Sequence, residues 1–138
     1  MVKNQIKVVG GDRVPSYNNA KAHPTIMNLT QFNMWYRDFP DFNIAIPTTV
    51  TVTNQDTCDS LLFRYDNSNF YPIDGKGFGD YWNGHNYGFT FASNMRFTYQ
   101  GYEIFDFTGD DDVWVFINDQ LALVHINIYI FYRINIFD

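Results

Sequence analysis

Three consecutive aspartates, Asp110, Asp111 and Asp112, stand between two apolar β-type runs, and no other stretch of the chain limits its fold so strongly. Their carboxylates repel one another and each is costly to desolvate. A fold that sets them beside a buried strand therefore needs a cation or dense hydrogen bonding around them. The run that follows, Val113-Trp-Val-Phe-Ile117, is continuously apolar, as in a strand covered on both faces. Asn118-Asp119 is a tight-turn signal, and Gln120-Leu-Ala-Leu-Val124 reads as the returning strand. The sequence thus predicts a hairpin with an acidic entrance and a core centred on Trp114 and Phe116. Two readings of the triplet compete: a metal or ligand site, and solvated loop residues that keep a strand edge from aggregating.

The rest of the chain narrows the class. It has 138 residues, the size of one domain, with Lys+Arg 9 against Asp+Glu 15 and a net charge of −6. With no basic stripe, that balance argues against nucleic acid and anionic membrane surfaces as partners. Cys58 stands alone, so neither an intrachain disulfide nor a cysteine-based zinc site can form. No apolar run is long enough for a transmembrane helix, and the N-terminus shows no signal-peptide core. Aromatic residues make up 20% of the chain, which suits a β-rich core or a sugar-stacking surface.

Along the chain, residues 1–24 read as an extended segment. From Asn28 to Asp38, Leu29, Phe32, Trp35 and Tyr36 fall on one helical face, with Thr30 as the expected N-cap and Pro40 beyond the end. Asn28-Leu-Thr30 is also an N-glycosylation acceptor. Strands are expected at 43–46, 48–53, 61–65, 87–92, 95–102 and 104–107, the pattern of an all-β sandwich or barrel. The glycines at 75, 77 and 79 lack the spacing of a P-loop or a dinucleotide fingerprint, and read as a loop with positive φ. His23, His85 and His125 have no metal-type spacing. Catalysis has no visible pair, since adjacent carboxylates on a strand point to opposite faces and cannot flank one bond. The reading is therefore not an enzyme; a carbohydrate-active enzyme fragment is the weaker alternative.

Four segments in order, Asn69-Phe-Tyr-Pro-Ile-Asp-Gly-Lys-Gly-Phe-Gly79, His85-Asn-Tyr87, Phe97-Thr-Tyr99 and Gly109-Asp-Asp-Asp-Val-Trp-Val-Phe-Ile-Asn118, carry a resemblance. They resemble the fibro-slime version of the protective-antigen fourteen-kilodalton domain, as found in the prespore-cell-inducing factor family of slime-mould secreted proteins. The resemblance covers residues 1 to about 123. It implies an all-β fold with one short helix, a protective-antigen-type barrel or sandwich left incomplete. An extended segment at 1–24 would precede a β domain at 25–123 and an atypical tail at 124–138. The implied function is an extracellular carbohydrate- or glycoprotein-binding module of a secreted developmental signalling factor, with a glycan or cell-surface glycoprotein as partner. In lectin-like members of the wider family, an acidic pair joined by a cis peptide holds Ca²⁺ that coordinates sugar hydroxyls. Asp110 and Asp111 match that pair, and their oxygen ligands suit calcium.

In related chains a segment like Val2-Lys-Asn-Gln5 lies after a signal peptide, so a truncated front is expected. After Leu123 the family continues Asp-Leu-Gly-Gly-x-His, whereas this chain turns to Ile, Asn, Tyr and Phe. That composition is what AT-rich untranslated DNA would encode, which makes a non-functional fragment or pseudogene product the rival reading.

Overall fold

A computed structural model describes residues 14–18, 26, 28–55, 62–101, 103–109, 112–125 and 130–135. The helix α1 spans Leu29–Tyr36. Its N-cap is Asn28, two residues ahead of the expected Thr30: Asn28 sits in extended backbone (φ −155°) and its Oδ1 accepts the Gln31 amide at 2.9 Å. Asparagine outranks threonine in that role because its carbonyl reaches an orphan amide of the first turn. At the other end the Arg37 amide donates to Asn33 O, and the Arg37 guanidinium bonds Asn33 Oδ1 at 2.8 Å.

The apolar face of α1 seeds the core. Phe32 is fully buried, with Tyr17 and Ile26 packed around it, and Tyr36, Trp114, Phe116 and Leu121 flank this cluster. A run of ring contacts leads outward: Tyr17 to Phe32 at 5.7 Å, Phe32 to Tyr36 at 4.6 Å, and Tyr36 edge-on to Trp114 at 5.6 Å. The core is thus centred on Phe32 rather than on Trp114 and Phe116. Every residue of Val113–Ile117 is only half-buried, because a strand paired on one side in a two-stranded sheet has no second layer to cover its other face. Trp114 Nε1 is buried there without a hydrogen-bond partner among the described residues.

Six strands complete the described fold. The short β1 (Thr53–Asn54) pairs with β2 (Phe63–Arg64). The strands β3 (Ile104–Gly109), β4 (Val113–Ile117), β5 (Gln120–His125) and β6 (Ile130–Asn135) form two antiparallel pairs, one nested inside the other. The inner pair, β4 with β5, closes at Asn118-Asp119, where φ is 46° and 65°, and carries a bulge at Val115/Phe116. The outer pair matches Ile104 to Asn135 and Gly109 to Ile130. Residues 110–112 on one side and 126–129 on the other separate the two ladders, so the register slips by one residue between them. The Ile-, Tyr- and Phe-rich segment near the C-terminus thus supplies a paired strand, in keeping with its β-propensity. At Gly109, the last residue of β3, the Phe107 ring lies where a side chain would stand: a Cβ there would come within 2.6 Å of the ring, which favours glycine.

The fold is strand-based with one short helix and small antiparallel sheets, and no closed barrel forms among the described residues. Among the described residues the expected strands at 43–46, 87–92 and 95–102 form no ladder; of 48–53 only Thr53 pairs, and of 61–65 only Phe63 and Arg64. Alternating or β-branched sequence sets no ladder where no partner strand lies alongside. The chain divides into two compact units, Met1–Arg37 with Ala92–Asp138, and Asp38–Phe91.

A polar and aromatic loop as the candidate functional site

The second unit holds the most densely bonded loop of the described residues. Its base is Phe70, whose ring meets Tyr65, Phe89 and Phe91 edge-on at 6.0, 6.4 and 5.4 Å. From there the chain winds through successive turns, with Asp74 N, Lys76 N and Gly79 N donating to Tyr71 O, Ile73 O and Lys76 O. Gly75, Gly77 and Gly79 all take positive φ, as expected of this loop. The Asp80 carboxylate fastens the first turn by accepting the Gly75 amide at 2.9 Å.

Asn86 is the knot. Its side chain is 3% exposed; Nδ2 donates to Lys76 O at 3.1 Å and Oδ1 accepts the Gly88 amide at 3.0 Å. Its own amide donates to Asp74 Oδ1 at 2.9 Å, while Asp74 Oδ2 bonds His85 Nδ1 at 2.6 Å. The Asn86 amide chiefly, and then His85, hold the Asp74 carboxyl below its ordinary value of 3.8. The His85 ring stacks on Tyr71 at 3.7 Å and 13°, with Tyr87 edge-on at 6.2 Å. Tyr87 donates its hydroxyl proton to Tyr71, which pushes its phenol above the ordinary 10.0.

His85 is presented by a two-residue turn. Trp82 and His85 form an antiparallel bridge, with His85 N donating to Trp82 O at 2.9 Å, and Asn83 and Gly84 turn between them at φ 49° and 77°. Positive φ at both central residues is the geometry of a type I′ turn, for which Asn-Gly is the favoured pair. Phe78, Tyr81 and Trp82 stand around this network at 73%, 70% and 65% exposure. The pair Asn83-Gly84 between Trp82 and His85 is the sequence signal for this turn, and the expected strand pattern leaves it out.

Chemically, the arrangement suits binding. No hydroxyl or thiol bonds His85 Nε2 among the described residues, so within them Asp74 and His85 face no nucleophile. No group of three or more His, Cys, Asp or Glu side chains converges there among the described residues. Asp110 and Asp111, the expected calcium pair, lie outside the described residues. Asp112 is half-buried immediately before β4. Asn28, the glycosylation acceptor, is exposed at the head of α1. An open cleft of about 350 Å³ beside β1 and β2 is lined by Thr53, Gln55, Arg64 and Asp66, where the Arg64–Asp66 pair is itself mostly in solvent.

No family model matches the chain, and no solved structure matches it. Its homologues are psi proteins of Dictyostelium discoideum. It is 35% identical to protein psiR over 88% of this chain and 14% of psiR. It is 33% identical to protein psiC over 89% of this chain and 27% of psiC, and 35% identical to protein psiD over 83% and 25%. The chain therefore spans about a quarter or less of the length of these relatives. No helix among the described residues is long and apolar enough to cross a membrane.

Proposed function

We propose that this chain is an extracellular carbohydrate- or glycoprotein-binding module of a secreted, prespore-cell-inducing type of developmental factor, with a fibro-slime domain. Homology to the psi proteins supports the developmental class. The observation that carries the binding role is the loop itself: Phe78, Tyr81 and Trp82 are exposed from a backbone fixed by Asp74, Asp80 and Asn86. Leaving such a side chain in water forgoes about 1.5–3 kcal/mol relative to burial, and flat rings held in place with polar groups between them match a ligand that has both apolar faces and hydroxyls.

Calcium belongs to the same reading. Asp110 and Asp111 supply oxygen ligands of the kind Ca²⁺ takes, and the metal would relieve the repulsion within the triplet. Titration calorimetry should show Ca²⁺ binding to the chain and its loss in Asp111→Ala; equal affinity in both removes the metal site. For the module as a whole, a glycan array probed with the chain should give specific binding that the triple variant Phe78→Ala, Tyr81→Ala, Trp82→Ala loses. An array that stays blank, or that the triple variant binds equally well, rejects the carbohydrate role.

A further inference from the structure

Trp82 and His85 differ from the loop's other exposed groups in how the backbone places them. They are directly opposed across a tight turn, and opposed residues send their side chains to one face with Cβ atoms about 5 Å apart. An exposed indole and a half-exposed imidazole therefore leave the chain side by side. The imidazole is not free to turn, because Asp74 Oδ2 holds Nδ1 at 2.6 Å and Tyr71 covers one ring face at 3.7 Å. An ionised carboxylate only accepts, so Nδ1 carries the hydrogen, and whenever the ring is neutral Nε2 is a lone-pair acceptor. Nε2 has no hydrogen-bond partner among the described residues, and it is not sealed from solvent.

We propose that Trp82 and His85 form a single pyranose subsite, in which the C–H face of a sugar ring lies on the indole and one ring hydroxyl donates to His85 Nε2. This rests on the carbohydrate reading above and assigns it a place and a polarity. An acceptor nitrogen calls for a donor, which a hydroxyl is and a carboxylate or phosphate oxygen is not. An electron-rich ring face calls for the weakly positive hydrogens of an aliphatic ring. A wholly apolar ligand would bury the Nε2 lone pair unpaired, and the net charge of −6 disfavours an anion.

The test uses a panel of methyl glycosides (α-mannoside, β-galactoside, N-acetyl-β-glucosaminide, α-fucoside) titrated into the 138-residue chain, with the imidazole nitrogens followed by ¹⁵N NMR. At least one glycoside should bind and shift His85 Nε2. Trp82→Ala and His85→Ala should each weaken it about tenfold or more, the equivalent of one lost net contact. Trp82→Phe should retain most of the affinity, and Met95→Ala, at an exposed residue outside this loop, should leave monosaccharide binding unchanged. If glycosides bind and neither Trp82→Ala nor His85→Ala weakens them, or if Met95→Ala weakens them as much, the subsite is wrong while the carbohydrate role stands. Should His85→Ala disturb the loop's spectrum, the wild-type Nε2 signal decides, and a signal that saturating glycoside leaves unmoved overturns the assignment. No binding of any glycoside or glycan rejects both.

Discussion

Asn28 serves the helix through one atom of its side chain and offers another to modification. Its Oδ1 accepts the Gln31 amide, whereas N-glycosylation would engage Nδ2, so capping and a glycan are compatible at one residue. Asn28→Ala should therefore cost about 1 kcal/mol in denaturant melts, while Asn28→Asp keeps an acceptor and should melt like wild type. If the acceptor is used, both variants, expressed in a secreting eukaryotic cell, should lose the same increment of mass. An Asn28→Asp protein as unstable as Asn28→Ala would show that the Oδ1 acceptor is not what stabilises the helix start. Asp74 gives a second prediction at this scale. Its folded value is lowered, so its stabilisation of the loop is complete above the unfolded value of 3.8 and is lost as pH falls through the folded one. Protection of the Asn86 amide against hydrogen exchange should hold at about pH 5 and fall on acidification below about pH 4; protection unchanged down to about pH 2 would contradict it.

Among the elements, the two tight turns show what was legible in the chain. Asn118-Asp119 marked the β4–β5 turn and Val113–Ile117 its first strand, both correctly, because a turn dipeptide between apolar runs is a local signal. The same local logic at Asn83-Gly84 would have found the Trp82–His85 turn, but there the segments beside it, Tyr81-Trp82 and His85-Asn86, are too short to look like strands. Segments 43–46, 87–92 and 95–102 misled for the opposite reason: their alternation is real, but a strand exists only with a neighbour to bond. The Asp74–His85–Asn86 network was not legible at all, since it joins residues eleven and twelve apart through a loop of irregular turns. Asp119 holds φ 65°, a left-handed conformation that costs an L-residue roughly 1 kcal/mol and a glycine almost nothing. Asp119→Gly should raise stability by about 0.5 kcal/mol after glycine's extra chain entropy is subtracted. A destabilised variant would mean that the Asp119 side chain holds the turn.

At the scale of the whole molecule, the buried apolar cluster belongs to one unit, while in the other, among the described residues, the only buried side chain is Asn86. Phe32→Ala should cost about 3–5 kcal/mol in the first unit, more than any substitution at half-buried Trp114. Trp114→Phe should stay within about 1 kcal/mol of wild type, because it keeps a ring against Tyr36 and removes a buried donor that has no partner among the described residues. A larger loss at Trp114 than at Phe32 would move the centre of the core back to β4. From the nested ladders we expect an order of events in folding. Partners lie 3 residues apart at Ile117 and Gln120 but 31 apart at Ile104 and Asn135, and closing a short loop is quicker and entropically cheaper than closing a long one. The strands can then zip outward from Asn118-Asp119, each bonded pair shortening the loop the next must close. Residues at that turn would be set before the barrier is crossed and those at β6 after it, so stabilising Asp119 speeds folding, whereas weakening β6 speeds only unfolding.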